Sequence, residues 1–385
     1  MTEMKTRLRL GMIGGGQGAF IGAVHRIASR IDDEYELVAG CFSSSPERGA
    51  ASAAELGVAP RRSYASFEDM ANAEAAREDG IDAVAIVTPN HLHFPAAKPF
   101  LERGIHVICD KPLTAQLAEA KEYLSAVENS ASIFALTHNY SGYPLIRQAR
   151  AMVASGELGA IRVVQAEYPQ DWLAKDIESG GQKQASWRTD PAKSGAGGCI
   201  GDIGTHAYQL ARFVTGLKLE RLRADLQAFV PGRRVDDNAH VTLQFEGGAR
   251  GMLWSSQVAV GNENGLRLRV YGEKAGIEWS QENPNQMWFT RFGEPKQLLT
   301  RGGAGINLAS ERVTRIPAGH PEGYLEGFAT IYSEVAQAIR AAKAGVAVPE
   351  DVLFPGIEDG IEGVAFVDAC VRSSADDGAW VKLDL

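Results

Sequence analysis

The chain has 385 residues and a formal net charge of −9, with 45% hydrophobic and 23% charged residues. The acidic excess argues against a general nucleic-acid or membrane-surface binder, because such proteins need basic side chains to meet phosphates. At roughly 100–200 residues per domain, the length predicts about two to three domains.

Short apolar runs alternate with amphipathic stretches in the first third of the chain. The runs predict parallel strands that are covered on both faces, at residues 8–13, 36–42, 83–88, 105–109 and 133–136. The intervening stretches predict helices at residues 19–30, 46–55, 92–103 and 115–128. Ser45 suits the N-cap of the second helix and Pro46 its first position. These repeated strand–helix–strand units predict a doubly wound sheet.

The pattern changes after residue 137. A strand at 161–168 and a helix at 202–215 precede an antiparallel meander, predicted at 219–229, 239–245, 250–258 and 266–271. Trp279 and residues 287–291 suggest further strands, and two helices are predicted at 327–344 and 364–372. We predict an α/β fold with two domains. Residues 1–137 form a Rossmann domain with a doubly wound parallel sheet, and residues 138–385 form an α+β domain with a large, mostly antiparallel open sheet.

A glycine-rich loop lies between the first predicted strand and the first predicted helix. Read as G-x-G-x-x-A, it supplies a glycine for the tight turn, a second for close approach to a pyrophosphate, and a small residue for helix packing. The helix N-terminus adds free N–H groups for the phosphates. We predict a dinucleotide here, in contact with Gly14, Gly16, Gln17, Gly18, Ala19 and Phe20.

The second predicted strand ends in serines instead of the acid that would bind the ribose of NAD. Ser43 and Ser44 can bond a ribose hydroxyl or a 2′-phosphate, and Arg48 can reach a phosphate. The serine run equally suits a helix cap. NAD and NADP therefore both remain open as cofactors.

Two further loops follow the third and fourth predicted strands, at the sheet edge where doubly wound folds bind ligands. The first is the TPNHLH segment, from which Thr88, Pro89, Asn90 and His93 are predicted to contact the cofactor. The second is Asp110-Lys111-Pro112, where a positive charge can stabilise a developing alkoxide or relay a proton. A plain turn with a surface lysine is the alternative. His25, on the first helix, is interpreted as a packing or surface residue.

A second glycine-rich segment, residues 195–206, contains Asp202 and His206 at i,i+4, so the two side chains share one helix face. The histidine can accept a proton at neutral pH, and the carboxylate can orient it or bind a hydroxyl. The glycines allow a substrate or nicotinamide to approach the backbone. A capped helix with a buried histidine is the alternative.

The segments GGGQGA, TPNHLH, DKP and GGCIGDIGTH, in this order, resemble the Gfo/Idh/MocA oxidoreductase family. The resemblance covers nearly the whole chain. It implies that Lys111 is the lysine of the family's EKP motif, Asp202 its substrate-binding aspartate and His206 its catalytic histidine. Two features depart from the family pattern: Asp110 replaces the glutamate, and the ribose-binding acid is missing.

Two segments, YPQDW at residues 168–172 and SWR at residues 186–188, resemble the branch that acts on cyclic sugars and polyols. The resemblance implies that Asp110, Lys111, Asn139, Trp187 and Arg188 contact the cofactor. It implies a substrate site that contains Lys111, Tyr140, Gln170, Asp202, His206 and Tyr324. Asp171, Asp237 and Asn238 are weaker candidates.

We therefore predict an NAD(P)-dependent oxidoreductase that transfers hydride between the nicotinamide and a secondary ring hydroxyl, or ketone, of a sugar, anhydrosugar or inositol. No metal is expected. One alternative is an NAD-dependent glycosidase that acts through transient sugar oxidation. Another is a non-catalytic dinucleotide-sensing protein.

Cys41, Cys109, Cys199 and Cys370 show no disulfide or zinc spacing, so reduced thiols in a cytoplasmic protein are expected. The N-terminal segment lacks the apolar region of a signal peptide, and no apolar run approaches the ~18 residues of a membrane span. We expect no nucleic-acid or membrane partner. The resemblance implies a homodimer or homotetramer that forms through the C-terminal sheet.

Overall fold

Five apolar strands organise the N-terminal part of the chain in the computed structural model, which describes residues 6–385. They are β1 (Leu8–Gly14), β2 (Tyr35–Cys41), β3 (Ala83–Val87), β4 (His106–Cys109) and β5 (Phe134–Leu136). They form a parallel sheet in the order β2-β1-β3-β4-β5. Every residue of β3 and β4 is buried, as expected for continuous apolar runs with cover on both faces. The predicted Rossmann-type sheet is confirmed.

Helices connect these strands, as the sequence predicts. They are α1 (Phe20–Ile31), α2 (Pro46–Glu55), α3 (Phe67–Ala75), α4 (His93–Leu101) and α5 (Leu117–Glu128). Only α3 was not predicted, because its alanine-rich sequence carries few large apolar residues. Its N-cap is nevertheless well defined, since the Ser66 side chain accepts a hydrogen bond from the Asp69 N–H at 3.0 Å.

Eight strands form the second sheet. They are β6 (Ile161–Pro169), β7 (Leu219–Gln227), β8 (Asn238–Phe245), β9 (Arg250–Ser256), β10 (Arg267–Gly272), β11 (Ala275–Ser280), β12 (Gln286–Arg291) and β13 (Gln297–Thr300). Their order is β13-β12-β11-β10-β6-β9-β8-β7. Only β6 and β9 pair in parallel, so the predicted mostly antiparallel sheet is confirmed.

Five helices accompany this sheet: α6 (Pro144–Ala154), α7 (Lys183–Arg188), α8 (Pro191–Ser194), α9 (Thr205–Thr215) and α10 (Leu308–Glu311). Among them only α9 was predicted, and the others are either short or begin at a proline. α9 packs against β6, β9 and β10 on one face of the sheet. The side chains on the opposite face alternate with the buried ones, as in a sheet with one covered face.

Two long helices complete the chain: α11 (Tyr324–Ala344) and α12 (Ile357–Ala375). Within residues 6–385, neither these helices nor any other combines the length and apolar character needed to cross a membrane. α11 packs against α1, and its Phe328, Ile331 and Val335 join the core that also contains Leu10 and Met12 of β1.

Two compact units result from this packing. The first runs to Thr114 and includes Ala118–Gly142 and Tyr324–Gly360; the second comprises Ala115–Leu117, Tyr143–Gly323 and Ile361–Leu385. The predicted division into residues 1–137 and 138–385 is continuous in sequence, whereas these units interleave. The difference arises because α11 packs its apolar side on the parallel sheet. α11 therefore belongs to the first unit, although it follows the second sheet in sequence.

α1 approaches the glycine-rich loop very closely at Gly22. A Cβ atom placed on Gly22 would lie 2.3 Å from the Gly15 Cα and 2.6 Å from the Gly15 carbonyl oxygen, both backbone atoms. The close helix packing that the fingerprint assigns to a small residue is thus made at Gly22, beyond the predicted Ala19.

We expect Gly22→Ala to lower the free energy of unfolding by about 1–3 kcal/mol, because the added methyl group forces α1 away from the loop. Denaturant unfolding measures this change. Gly49→Ala is the matched control, since Gly49 also lies in a helix and a Cβ placed on it would lie 3.8 Å from the Ser43 carbonyl oxygen, an ordinary contact distance. The packing argument fails if the two variants are equally stable.

Candidate active site

The glycine-rich loop follows β1 at positions where the neighbouring backbone leaves no room for a side chain. Gly14 has φ +79°, and a Cβ on it would lie 2.9 Å from the Val87 carbonyl oxygen. A Cβ on Gly16 would lie 2.7 Å from the Phe42 carbonyl oxygen. α1 begins immediately afterwards with Phe20, which is 69% exposed. The loop therefore presents bare backbone, a helix N-terminus and an exposed ring.

Polar side chains that the sequence analysis did not single out hold this loop. Arg26 donates to the Gly15 carbonyl oxygen at 2.6 Å. The Gln17 backbone N–H donates to the Ser52 hydroxyl at 3.1 Å, and the Gln17 amide donates to the Glu55 carboxylate at 3.0 Å. Arg26 lies one helical turn after Gly22, so both residues face the glycine-rich loop. The sequence could indicate this role of Arg26 only if the contact between Gly22 and the loop were already known.

The serine run after β2 acts partly as a helix cap. The Ser45 hydroxyl accepts a hydrogen bond from the Arg48 N–H at 3.4 Å, and the Ser43 hydroxyl accepts one from the Ser45 N–H at 3.1 Å. Ser44 and the Arg48 side chain are exposed. The helix-cap interpretation is confirmed for Ser45, while ribose or phosphate binding by Ser43, Ser44 and Arg48 stays a prediction.

The loops after β3 and β5 contain buried polar atoms without hydrogen-bond partners among residues 6–385. They include the Thr88 hydroxyl and the Asn139 side-chain nitrogen. Such groups are costly to bury unpaired, and both belong to residues predicted to contact the dinucleotide. Together with the bare glycine backbone, they fit a bound dinucleotide. Pro89 and Asn90 lie in the same loop as Thr88, and Asn90 is buried.

His93, which is predicted to contact the cofactor, uses both ring nitrogens within the first unit, and the cofactor contact stays a prediction. Its ring is fully buried, with Nδ1 2.7 Å from the Pro112 carbonyl oxygen and Nε2 2.9 Å from the Thr88 carbonyl oxygen. Burial lowers the pKa of His93, although Asp110 and the two carbonyls oppose this shift. Because both ring nitrogens are used, His93 ties the loop after β3 to the turn after β4.

Asp110, which directly follows β4, is an anionic centre behind Lys111. Its Oδ1 accepts hydrogen bonds from the Lys111 backbone N–H at 2.9 Å and from the Thr137 hydroxyl at 3.1 Å. Burial alone would raise the pKa of the Asp110 carboxyl, but His25, Lys111 and His93 outweigh it and lower that pKa to about 2. Asp110 therefore remains charged and fixes the turn that carries Lys111.

Two histidines lie beside this turn. His25, which was interpreted as a packing or surface residue, is fully buried, and its Nε2 lies 3.8 Å from Asp110 Oδ1. His138, two residues after β5, is buried, and its pKa is lowered to about 3 by burial and then by the Lys111 charge. Sequence spacing could not identify either residue, because only the folded sheet brings α1 and the end of β5 to Asp110.

In the second unit, Asp202 forms an ion pair with Arg188. The Arg188 Nε lies 3.3 Å from Asp202 Oδ2, and the Gln257 amide donates to the same oxygen at 2.9 Å. The Arg188 guanidinium carbon lies 4.2 Å from the centre of the Trp187 ring, and Arg188 also donates to Gln184 at 2.5 Å. The SWR segment and the glycine-rich segment are thus joined at the Asp202 carboxylate.

Asp202 lies in a π-helical turn, Ile200–Gly204, and His206 lies in the first turn of α9. The two are therefore on one continuous helical segment, as predicted. His206 is buried, and the ring of Tyr168 lies 6.2 Å from its ring centre. The Tyr168 hydroxyl and the Gln170 amide both donate to Asn264 Oδ1 at 2.8 Å. Asn264, which no motif indicated, is the centre of this polar cluster.

The glycines of the second glycine-rich segment mostly meet the chain itself. Cβ atoms placed on Gly195 and Gly198 would lie 2.4 Å from the Ala115 carbonyl oxygen and 2.0 Å from the Asp236 carbonyl oxygen. Close backbone neighbours therefore require glycine at these two positions, and ligand approach to the segment stays a prediction. The two glycines permit close packing of the backbone.

The weaker candidates Asp237 and Asn238 have hydrogen-bond partners within the second unit. Asp237 is fully buried and accepts hydrogen bonds from the backbone N–H groups of Phe229 and Val230. Asn238 accepts a hydrogen bond from the Trp254 indole and donates to Gln227.

The predicted site residues divide between the units. Near the carboxyl ends of the parallel strands, the first unit gathers Gly14, Gly16, Thr88, Asn90, Asp110, Lys111, Asn139 and Tyr140. Tyr324, at the start of α11, also belongs to the first unit. The second unit holds Gln170, Trp187, Arg188, Asp202 and His206. Within residues 6–385, no group of three or more His, Cys, Asp or Glu side chains is placed to hold a metal ion.

Two family models match the chain. Residues 8–138 match the model described as the oxidoreductase family, NAD-binding Rossmann fold (GFO_IDH_MocA), and residues 146–278 match the GFO/IDH/MocA C-terminal domain.

Individual relatives align over almost the full length. An oxidoreductase from Sinorhizobium meliloti of known structure is 58% identical, with a TM-score of 0.90 over 98% of this chain and 100% of that one. An inositol dehydrogenase homolog from Azotobacter vinelandii, solved with NAD⁺, is 38% identical, with a TM-score of 0.95 over 99% and 98%. The levoglucosan dehydrogenase of Pseudarthrobacter phenanthrenivorans is 26% identical over 98% of each chain.

We expect acid to destabilise the protein partly through His138. Its folded-state pKa of about 3 lies below the ordinary 6.5. Between these values the unfolded chain binds a proton that the folded chain does not, so the free energy of unfolding falls as the pH is lowered from 6.5 towards 3. His138→Asn should reduce this slope by up to about 1.4 kcal/mol per pH unit.

Denaturant unfolding at a series of pH values measures the slope. His93 contributes in the same direction, so a residual slope is expected in the His138 variant. Exposed His320→Gln is the control and should follow the wild-type curve. Parallel curves for wild type and His138→Asn would contradict the assignment.

Proposed function

This chain belongs to the GFO/IDH/MocA oxidoreductase family, and on that premise we propose that it oxidises a secondary ring hydroxyl of a sugar, anhydrosugar or inositol, or catalyses the reverse reduction. The first unit binds the dinucleotide, and residues of the second unit recognise the substrate. The observation that carries the proposal is the position of Lys111. This lysine follows the charged, hydrogen-bonded Asp110 at the same edge of the parallel sheet as the glycine-rich loop.

Each proposed catalytic residue has a separate task. Lys111 holds the substrate oxygen and stabilises the negative charge that develops on it. His206 accepts the hydroxyl proton. Asp202, oriented by Arg188 and Gln257, binds a neighbouring hydroxyl. The nicotinamide, when bound, supplies the hydride acceptor or donor.

The substrate class rests on the chemistry of the second unit and on the relatives. Tyr168, Gln170 and Asn264 combine hydroxyl and amide groups in one hydrogen-bonded cluster near His206. Such groups suit the hydroxyls of a polyol ring. The relatives include an inositol dehydrogenase homolog and a levoglucosan dehydrogenase, whose names both refer to rings of this type. We propose Gln170, Tyr140 and Tyr324 as further substrate contacts.

The choice between NAD and NADP depends on the turn after β2. No carboxylate ends that strand, and exposed Ser44 and Arg48 are the groups available for a ribose hydroxyl or a 2′-phosphate. The Azotobacter homolog was solved with NAD⁺, so NAD is the first cofactor to test. The glycosidase and dinucleotide-sensor alternatives gain no support from the relatives described above.

We also propose that the protein forms a homodimer or homotetramer through its second sheet. The face opposite α9 exposes Val163, Met252 and Trp288 at 38%, 44% and 42%. A cavity of about 780 Å³, lined in part by Trp254, opens beside β8 and β9. An apolar face of this kind usually marks an interaction surface.

Finally, we propose a cytoplasmic location. All four cysteines are unpaired and buried, which suits a reducing compartment.

The proposal is tested by following nicotinamide absorbance with NAD⁺ or NADP⁺ and a panel of inositols, aldoses, anhydrosugars and aryl glycosides. We expect reduction of one cofactor with a small set of ring polyols. Cleavage of a glycoside without net cofactor reduction would instead support the glycosidase. Tight dinucleotide binding without turnover of any compound would support the sensor.

On the substrate found, Lys111→Ala and His206→Ala should each lower kcat by about 10²–10⁴-fold, because each removes a group that acts on the reacting hydroxyl. The dissociation constant of the cofactor, measured by fluorescence titration, should hardly change. Exposed Lys382→Ala and His320→Ala are matched controls. If either catalytic-site variant kept the wild-type kcat, the role assigned to the substituted residue would be refuted.

Met252→Glu should disrupt self-association, because it places a charge on the apolar outer face of β9. Size-exclusion chromatography with light scattering should give the monomer mass for this variant and a multiple of it for the wild type. Val346→Glu is the control, since Val346 is 61% exposed in the first unit. A monomeric wild type would refute the proposed assembly.

A further inference from the structure

The turn that carries Lys111 is held from behind by two buried histidines on different helices. His93, at the start of α4, bonds the Pro112 carbonyl oxygen. His25, on α1, has its Nε2 3.8 Å from Asp110 Oδ1 and its Nδ1 2.8 Å from the Tyr332 hydroxyl. The function proposed above assigns no role to His25 or Tyr332.

We propose that His25, held by Tyr332, is a positioning residue that fixes the Asp110 carboxylate and thereby the Lys111 side chain. This inference rests on the proposed role of Lys111 and deepens it. His25 does not touch the reacting atoms in this scheme. It acts through its electrostatic contact with Asp110 at 3.8 Å, and Asp110 Oδ1 accepts hydrogen bonds from the Lys111 backbone N–H and the Thr137 hydroxyl.

The surroundings of His25 determine which ring nitrogen carries the proton. The Asp110 carboxylate attracts an N–H group, so the proton belongs on Nε2. Nδ1 then accepts from the Tyr332 hydroxyl. Burial and the Asp110 charge raise the pKa of Tyr332, so this hydroxyl keeps its proton and serves as the donor.

Packing fixes the position of the imidazole. The His25 side chain is fully buried, with the ring of Phe328 at 5.1 Å and the ring of Tyr332 at 5.8 Å in an edge-on arrangement. The Tyr35 hydroxyl donates to the backbone carbonyl oxygen of Tyr332 at 3.2 Å, a contact that does not involve the Tyr332 hydroxyl or His25. α1 also begins at the glycine-rich loop, so one helix connects the predicted dinucleotide site with Asp110.

Substitutions can separate positioning from packing. His25→Gln keeps an N–H donor near the position of Nε2, whereas His25→Asn keeps one only near Nδ1. Tyr332→Phe removes the hydroxyl that holds His25. Tyr35→Phe is the matched control, because it removes a buried hydroxyl from the same core without changing the contact to Asp110.

The kinetic test compares kcat with KM. We expect His25→Asn to lower kcat about 10–100-fold at nearly unchanged KM, since a displaced catalytic group slows the chemical step. Tyr332→Phe should show a smaller loss. His25→Gln should recover most of the rate, and Tyr35→Phe should match the wild type. Wild-type kcat in a folded His25→Asn variant would overturn the proposal.

Two measurements do not depend on turnover, so they separate a failure of this inference from a failure of the proposed function. ¹⁵N-histidine NMR at a pH of about 8, above the usual histidine pKa, should show the His25 proton on Nε2. ¹³C-methylation of lysines, with the Lys111 signal assigned through Lys111→Arg, should show that signal shifted in His25→Asn and Tyr332→Phe but not in Tyr35→Phe. A His25 proton on Nδ1 alone, or a Lys111 signal that ignores His25→Asn, would overturn the inference even if no substrate is found.

Discussion

The charge of Asp110 is the constraint on which the strand-end edge of the first unit depends. A largely buried carboxylate is stable as an anion only if donors and positive charges surround it. The Lys111 N–H, the Thr137 hydroxyl and His25 converge on it from three separate elements. Each of these contacts also restricts the turn between β4 and Pro112. A lysine that a plain turn would leave mobile therefore occupies a defined position.

The departure from the family's glutamate becomes intelligible in this setting. Asp110 is one methylene shorter than glutamate. Its carboxylate nevertheless accepts hydrogen bonds from the Lys111 backbone N–H and from the Thr137 hydroxyl in the loop after β5. His25, Lys111 and His93 together keep the pKa of Asp110 low despite its burial. The shorter side chain thus keeps its charge.

In the second unit, the candidate site residues are held mainly by contacts between side chains. Examples are the Arg188–Asp202–Gln257 group and the Asn264 cluster beside Tyr168. Gln170 and Gln257 directly follow β6 and β9, and Asn264 precedes β10, so neighbouring strand ends bring these amide groups together. This arrangement suits recognition of a ring with several hydroxyls, whereas the first unit offers bare backbone suited to phosphates.

Sequence patterns were sufficient to predict most strands, most helices of the parallel sheet, the glycine-rich loop, and Lys111, Asp202 and His206 as candidate site residues, but they did not indicate β13. These features are local: apolar periodicity, turn residues and short motifs act within a few residues of one another. The tertiary structure alone decided that His93 braces two loops, that His25 and His138 lie beside Asp110, and that Asn264 joins Tyr168 to Gln170. The tertiary structure also decided that α11 packs on the parallel sheet. It decided that positions 22 and 198 require glycine, because neighbouring backbone leaves no room for a Cβ atom there. Apart from the contact between Gly22 and Gly15, these features depend on residues that lie about twenty to three hundred positions apart in the chain, and one sequence carries no record of which distant segments meet.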